Sequence, residues 1–466
     1  MTTFAKLGFY GAAQNVTGSQ YLLEACGKKI LIDCGLYQER GLKNRNWEPF
    51  QVNPGEIDAV VLTHAHLDHC GLLPRLVKQG FNGPIYATKA TVDIVQIVLL
   101  DSAKINEEDA EFKRKRHEKE GRVGPHPVVP LYPVDEAMAV KPLLSPCEFH
   151  QPFQLASGLT VEFVGAAHIL GAAFLKFTVT IGNETRTIIF SGDMGRHDMP
   201  ILKDPSPIGQ ADYVVCESTY GDRTHGPQED IPTQLATIIN ETARRKGNII
   251  IPSFAIERTQ ELIYFLAQLL KEDEIPHLRT FVDSPMAIRV TDVFKRHQYL
   301  FDKETTALVR KMRLPGLTMV RTQAESKTIN HIKGSAIIIA GSGMCTGGRI
   351  KHHLVHNIED RDNTILFVGY QAEGTLGRQI LDGNRKVRIL GQYFNVRARI
   401  ERITGFSAHA DKDELTTWLA TNNTKPRHVF VTHGEINAAN AFAEQVINTF
   451  GCPTSVPEFK HVAELD

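Results

Sequence analysis

Three histidines and one aspartate lie within six positions directly after an apolar run, in the stretch VVLTHAHLDHCG from Val60 to Gly71. His64 and His66 would share one side of the strand end, and Asp68 and His69 lie just beyond it. Imidazole and carboxylate groups are ligands for zinc. A polar turn with surface histidines is the alternative, but loops after buried strands commonly carry function. The cluster therefore predicts a metal site, with a geometry suited to two ions rather than one.

Further metal-binding side chains are expected at other strand ends, because four ligands do not complete two sites. His168 ends the run VEFVGAAH, Asp193 ends IIFSGD and His433 ends VFVTH. A lone histidine after a strand is more often a structural hydrogen-bonding group. Three such residues in a chain that also carries HxHxDH favour the metal, and we expect Asp193 to bridge the ions.

The composition limits the classes of protein to which the chain can belong. The 466 residues predict two or three domains, and 52 Lys and Arg against 53 Asp and Glu exclude a strongly basic surface. A nucleic-acid partner would need a local basic groove. The seven cysteines have no CxxC pair, which favours a reduced compartment. No run approaches ~18 apolar residues, so we expect a cytoplasmic protein without a membrane segment.

The order of apolar runs predicts the domain layout. Short strands come first, with a hairpin signal at GNET, and a strand–helix alternation typical of a parallel α/β domain begins near Ala211. Short strands return near Arg388. The simplest layout is an α/β domain inserted into a first domain that the C-terminal segment completes. The predicted bounds are 1–208 and 391–466 for the first domain and 209–390 for the insertion.

The motifs taken in order resemble a known family. Asp33 in LIDCG, the THAHLDHCG stretch, His168 in GAAHILGA and Asp193 in FSGD are similar to successive motifs of the metallo-β-lactamase fold. The resemblance implies an α/β fold, an αββα sandwich with an inserted parallel α/β domain.

Three later motifs resemble those of the β-CASP branch, which comprises nucleases acting on RNA or DNA. They are CESTYG with Glu217, GFSAHAD with His409 and VTHGE with His433. RNA-processing members carry histidine in the third motif, where DNA-repair members typically have valine, so His433 favours single-stranded RNA as the partner.

The resemblance implies a role for each site residue. One Zn²⁺ would be held by His64, His66 and His168, the other by Asp68, His69 and His433, with Asp193 bridging and Asp33 supporting a ligand histidine. Water activated by both ions would attack the phosphodiester, giving 5′-phosphate and 3′-hydroxyl ends. His409 would protonate the leaving oxygen and Glu217 would orient it. With Asp68, which is also a ligand, these are the expected catalytic residues.

Three loops are predicted to contact substrate phosphates through backbone amides or a cation. The residues are Ser253, Phe254 and Arg258 in IPSFAIERTQE, Ser342 and Gly343 in AGSGMCTGGR, and Arg378 in GYQAEGTLGR. The alternative is that the glycines only permit tight turns. The basic run Lys113 to Arg116 is intermixed with glutamates, so a solvated helix face is favoured over an RNA contact.

Two other functions remain open at this point. A catalytically inactive binding subunit would have lost metal ligands, whereas every ligand position here is filled. A hydrolase of small thioesters or lactones would not need the inserted domain, Glu217 or His409. The balance of internal cutting and trimming from an end is open, as is a homodimer, for which the C-terminal tail is one contact region.

Overall fold

The computed structural model describes the chain except for residues 1–2, 40, 122, 124–127, 226–230, 303–304, 306–314 and 333. The described chain divides into two compact units. The first contains Met1–Met199, Asp204–Thr224 and Ala408–Asp466, and the second contains Pro200–Lys203 and His225–Ser407. The domain bounds predicted from the sequence, 1–208, 209–390 and 391–466, stay a prediction.

Within the described residues, the first unit is built on two seven-stranded sheets. Its strands are β1 (Ala5–Phe9), β2 (Tyr21–Ala25), β3 (Lys28–Ile32), β4 (Ala59–Val61), β5 (Ile85–Thr88), β6 (Leu144–Cys147), β7 (Phe153–Ala156), β8 (Leu159–Gly165), β9 (Ala173–Ile181), β10 (Glu184–Phe190), β11 (Tyr213–Glu217), β20 (His428–Thr432), β21 (Thr454–Ser455) and β22 (Val462–Leu465). The sheet orders are β22-β1-β2-β3-β4-β5-β6 and β21-β20-β11-β10-β9-β8-β7.

The core of the first unit lies between these sheets. Phe9 and Leu23 of the first sheet and Phe163, Phe177 and Phe190 of the second belong to one buried cluster. The two-residue side-chain period of a strand produces this division, as in β8, where buried and half-buried positions alternate at first. The hairpin predicted at GNET joins β9 and β10.

Strand direction decides where functional residues meet. β3 runs parallel to β4, and β10, β11 and β20 run parallel to one another. β8 and β10 are each antiparallel to β9, so they end at the same edge. The carboxyl ends of β3 and β4 therefore lie at one edge of the first sheet, and those of β8, β10, β11 and β20 lie at one edge of the second.

Helices cover the two sheets of the first unit. They are α1 (Leu67–Cys70), α2 (Leu73–Lys78), α3 (Lys89–Glu120), α4 (Val134–Ala139), α11 (Lys412–Ala420) and α12 (Ile436–Phe450). α3 contains the basic run Lys113 to Arg116, and the Thr88 hydroxyl accepts from Thr91 N at its start. In the described chain, no helix combines the length and apolarity that a membrane span requires.

The second unit carries the strand–helix alternation that the sequence predicts. Its strands are β12 (Ile249–Pro252), β13 (Arg279–Asp283), β14 (Leu317–Met319), β15 (Ala336–Ala340), β16 (Thr364–Phe367), β17 (Lys386–Ile389), β18 (Gln392–Asn395) and β19 (Arg399–Arg402). Its helices are α5 (Ile231–Arg244), α6 (Arg258–Lys271), α7 (Pro285–Arg296), α8 (Gln323–Ile329), α9 (Ile350–Asn357) and α10 (Leu376–Leu381). In the described part of this unit, a parallel sheet has the order β14-β13-β15-β12-β16-β19.

The centre of the parallel sheet is buried on both faces. The isoleucine runs of β12 and β15 are inaccessible to solvent or nearly so. Such continuous apolar runs are typical of parallel strands that are covered by helices on both sides. The predicted fold, a β-sandwich unit with helices and a parallel α/β unit, is confirmed.

Candidate metal centre

The predicted metal-binding side chains follow the carboxyl ends of strands in the first unit. His64 follows β4, His168 follows β8, Asp193 follows β10 and His433 follows β20. His66 directly precedes α1, while Asp68 and His69 lie on it. Because these strand ends are gathered at sheet edges, residues far apart in sequence converge on one place.

The loop after β3 and the residues just before β2 hold the backbone of the histidine-rich turn. Cys34 N donates to His69 O over 2.7 Å, and Ser19 N donates to Asp68 O over 2.8 Å. A Cβ atom built on Gly35 would lie 1.7 Å from Asp68 O, so only glycine permits this approach. The motif DCG therefore positions α1.

One group of side chains consists of His64, His66, His168 and Asp193. His66 Nδ1 lies 3.1 Å from His64 Nε2 and 3.2 Å from His168 Nε2. Asp193 Oδ2 lies 3.4 Å from His64 Nε2 and 3.5 Å from His168 Nε2.

A second group consists of Asp68, His69 and His433. His69 Nε2 lies 3.1 Å from His433 Nε2, which is 3.6 Å from Asp68 Oδ2. The other oxygen of Asp193, Oδ1, lies 3.2 Å from His69 Nε2 and 3.6 Å from His433 Nε2. Each oxygen of Asp193 thus faces one of the two groups.

The hydrogen bonds behind the rings fix which nitrogen faces inward. His69 Nδ1 donates to Asp33 Oδ2 over 2.7 Å, and His168 Nδ1 donates to Ala408 O over 3.2 Å. The Thr63 hydroxyl donates to Asp33 Oδ2, so it accepts the hydrogen from His64 Nδ1 over 3.1 Å. The Nε2 lone pairs of all three rings are therefore free to bind a metal.

Thr219 fixes the ring of His433 in the same way. Its hydroxyl donates to Glu217 Oε2 over 2.6 Å and accepts from His433 Nδ1 over 3.1 Å. Sequence reasoning missed Thr219, as well as Thr63 and the Ala408 carbonyl. The available signal was a hydroxyl residue two positions after the motif glutamate.

The donor set fits zinc. Two ligands about 2.1 Å from a tetrahedral Zn²⁺ lie about 3.4 Å apart, close to the separations within each group. Unprotonated ring nitrogens that face one another repel unless a cation lies between them. Within the described residues, the buried Asp193 Oδ1 has no hydrogen-bond partner. A buried carboxylate oxygen in that state is explained by a bound cation.

Electrostatics separate the histidines. Burial and neighbouring His69 lower the pKa of His64 to about 3, although Asp193 opposes this, so His64 is neutral, as a ligand must be. Burial alone would raise the pKa of Asp193, but the positive charges that His433 and His69 carry when protonated hold it well below its ordinary value, and a metal cation bound by their neutral rings would do the same. Asp33 and His433 have left-handed φ values of 58° and 49°. This backbone costs about 1–2 kcal/mol per residue and is typical of functional sites.

His409 differs from the metal-binding histidines. Its Nδ1 lies 3.3 Å from Glu217 Oε1, which also accepts from Met194 N over 2.6 Å. Its ring centroid is 4.4 Å from that of His168, and its side chain is 22% exposed. Burial alone would lower the pKa of His409, but Glu217 and Asp193 raise it to about 9. A partly exposed histidine that is protonated near neutrality can donate a proton.

The residues predicted to contact substrate lie in the second unit. Ser253 is buried and its hydroxyl donates to Phe254 O over 3.1 Å. Arg258 is also buried, pairs with Glu261 and lies 5.0 Å from the Phe406 ring centroid. These contacts stabilise the loop after β12.

The glycine-rich turn after β15 meets this loop. A Cβ atom built on Gly343 would lie 2.6 Å from the Phe254 ring, so the two residues are in contact. The Ser342 hydroxyl accepts from Thr346 N over 3.0 Å, and Arg378 Nε donates to Asp382 over 2.8 Å. The substrate role of the predicted loop residues stays a prediction.

Comparison with models of protein families identifies the superfamily of the chain. The model of the metallo-β-lactamase superfamily matches residues 14–247, that of the Beta-Casp domain 259–380, and that of the Zn-dependent metallo-hydrolase RNA specificity domain 393–457. The chain therefore belongs to the metallo-β-lactamase superfamily.

Similarity to curated relatives identifies the family within this superfamily. The chain is 40% identical over 430 residues to Ribonuclease TTHA0252 of Thermus thermophilus, covering 91% of this chain and 92% of that protein. It is 29% identical to the transcription termination factor FttA of Methanosarcina mazei, over 94% of this chain and 68% of that one. The chain belongs to the β-CASP family within the superfamily.

A solved structure supports the fold alone. The crystal structure of a protein of unknown function from Enterococcus faecalis aligns with a TM-score of 0.58 at 13% identity, over 99% of this chain and 100% of that one. The predicted family, fold and enzyme class are confirmed by the family matches and the ribonuclease relative: the chain is a metal-dependent RNA hydrolase.

Proposed function

We propose that the chain is a ribonuclease that holds two Zn²⁺ ions and hydrolyses phosphodiester bonds of single-stranded RNA. The observation that carries this proposal is Asp193, whose two oxygens face two separate groups of ligand atoms. The groups are His64, His66 and His168, and Asp68, His69 and His433. The resemblance to Ribonuclease TTHA0252 supports RNA as the substrate.

In this proposal, residues of the chain carry out the chemical roles that zinc does not supply. When bound, zinc activates water at neutral pH and neutralises charge on a phosphate. His409 donates a proton to the leaving 3′ oxygen, giving 5′-phosphate and 3′-hydroxyl ends. Glu217 accepts from His409 Nδ1, which leaves Nε2 of the charged ring as the donor. Asp33 keeps the His69 ring in its binding orientation.

Backbone amides of the loops in the second unit hold RNA phosphates in this proposal, with Ser342 and Gly343 in the glycine-rich turn. The side chains of Arg258 and Arg378 already pair with carboxylates. Their contribution therefore requires that these ion pairs exchange with phosphate, which is feasible at Arg378, whose side chain is 43% exposed. All seven cysteines are free, which supports a cytoplasmic location.

A cleavage assay tests the proposal. Purified wild-type protein is incubated with labelled single-stranded RNA, with and without a chelator, beside His64→Ala and the control His352→Ala at an exposed position. We expect cleavage by the wild type and the control only, and 5′-phosphate ends in the products.

Other results would contradict it. RNA that survives while a thioester is cleaved by the zinc-loaded protein would identify a small-molecule hydrolase. Absence of both metal and cleavage would identify an inactive binding subunit. Mapping the ends of products from a capped and a 5′-phosphorylated RNA distinguishes internal cutting from trimming.

A further inference from the structure

The long helix α3 changes character along its length. Ile94, Val98 and Leu99 in its first half are buried. Near the middle, Ser102 accepts a hydrogen bond from Tyr132 OH over 2.7 Å, and Glu107 accepts one from Val134 N over 2.9 Å. Ala110 is the last buried residue of the helix. The final ten residues, 111–120, are exposed except for the half-buried His117.

An aromatic side chain lies at the centre of an exposed face of this helix. Phe112 is 69% exposed, and Ile105, seven residues earlier, is 51% exposed. Residues three, four and seven positions apart share one side of a helix. We call the set formed by Ile105, Glu108, Asp109, Phe112, Lys115, Arg116 and Lys119 the Phe112 face. It lies opposite the buried Ala103 and Ala110.

Charges on the Phe112 face are separated by sign. Glu108 and Asp109 precede Phe112, whereas Lys115, Arg116 and Lys119 follow it. The spacing is symmetric, because the acidic residues lie four and three positions before Phe112 and the first two basic residues lie three and four positions after it. A face of this kind is complementary to itself when it is rotated by 180°.

We propose that two copies of this chain associate through the Phe112 face as an antiparallel helix pair with two-fold symmetry. Phe112 then contacts Phe112 of the partner subunit, and Glu108 and Asp109 face Arg116 and Lys115 of the partner subunit. An isologous interface requires this self-complementarity. A parallel pair would place like charges together, which disfavours it.

Existing contacts leave the face available. Lys115 pairs with Glu111 over 2.6 Å, and Arg116 lies 3.9 Å from Glu120. Both are exposed ion pairs, which contribute little to stability and exchange readily. A single helix pair buries less than the ~1,200 Å² of stable complexes, so association is expected at micromolar concentration and weakens with salt.

Charge reversal tests the proposal. Sedimentation equilibrium over a range of protein concentration and salt is measured for the full chain and for two variants, Glu108→Lys/Asp109→Lys and Lys115→Glu/Arg116→Glu. The first variant alone has a wholly basic face, and the second has an acidic face that keeps only Lys119 as a basic residue. The dimer dissociation constant of each should therefore rise at least ten-fold. An equimolar mixture should associate again, because a basic face then meets an acidic one.

The matched control is Arg114→Glu/Glu118→Lys, which exchanges charges on the same helix outside the Phe112 face. It should dimerise like the wild type. In a second measurement, Phe112→Cys should form an intermolecular disulfide when copper-phenanthroline oxidises the two thiols, whereas Arg114→Cys should not.

Four outcomes overturn the proposal. A wild type that stays monomeric at all concentrations shows that the face has no self-association. A dimer that survives both reversals, or variants that fail to associate on mixing, places any interface elsewhere, such as the C-terminal tail. Loss of RNA affinity in Lys115→Glu/Arg116→Glu without a change in mass identifies the basic half as an RNA contact.

Discussion

Asp193 in the first unit and Asp283 in the second are both buried carboxylates at the carboxyl ends of strands. Asp283 accepts hydrogen bonds from Ser326 Oγ over 2.5 Å, Arg349 Nη1 over 2.5 Å and His353 Nε2 over 2.7 Å. Burial alone would raise the pKa of Asp283, but His353 and Ser326 lower it. Asp193, by contrast, keeps one oxygen without a hydrogen bond among the described residues.

This difference in hydrogen-bond partners distinguishes a buried carboxylate with a structural role from one that binds a cation. A buried carboxylate whose partners are all supplied by the chain closes a network and stabilises the loops around it. A buried carboxylate whose neighbours are unprotonated ring nitrogens completes its bonding only with a cation. Burial and position along a strand are shared by the two residues, so only the partners distinguish their roles.

Removal of the charge on Asp193 is expected to have the largest effect. Asp193→Asn should lower the rate of RNA cleavage by about 10⁴-fold, roughly 5.5 kcal/mol, because two ions lose their shared anionic ligand. Bound metal, measured by elemental analysis, should fall. Wild-type metal content in this variant would contradict the bridging role.

Removal of the His409 imidazole tests the division of labour among the histidines. His409→Ala should slow cleavage by ~10²–10⁴-fold, because the leaving oxygen loses its proton donor. The zinc content should stay at the wild-type level, and His352→Ala serves as the control. If the metal is lost as well, His409 belongs with the ligands.

Truncation of Asp283 should act on stability instead of chemistry. Asp283→Ala should lower the free energy of unfolding by about 3–5 kcal/mol, because Arg349 loses its buried partner. Denaturant unfolding measures this, with the exposed Asp292→Ala expected below about 1 kcal/mol. Metal content of the folded protein should not change. A variant that loses metal without loss of stability would show that Asp283, and not only Asp193, has a metal-binding role.

Thr219 should give the smallest effect. Thr219→Val removes the hydroxyl that holds His433 Nδ1 and Glu217 Oε2, and should weaken metal binding or cleavage by about 10–100-fold. Thr219→Ser keeps the hydroxyl and should restore most of the loss, which a purely structural role of the methyl group would not predict. Competition with a zinc-binding dye provides the affinity. Equal behaviour of the two variants would argue against the role of the hydroxyl.

Much of the fold could be predicted because its signals are local. The hairpin at GNET, the isoleucine-rich strands of the second unit and the helix after Thr88 follow from patterns within a few residues. β11 was harder to assign to a unit from the sequence, because its run DYVVCES is as apolar as the strands of the second unit. Its pairing with β10 and β20 is a long-range choice.

The sequence by itself determined the chemistry available at the centre. HxHxDH, together with histidines and aspartates at strand ends, predicts a metal site, because imidazole and carboxylate groups are ligands for zinc. The tertiary structure decided which nitrogen of each ring faces inward, which carboxylate stays without a partner and which residue orients His433. These depend on pairs such as His168 with Ala408 and Thr219 with His433, which are separated by more than 200 residues. A hydrogen bond requires two atoms about 3 Å apart, and the local order of residues does not show which distant residues come that close in the folded chain.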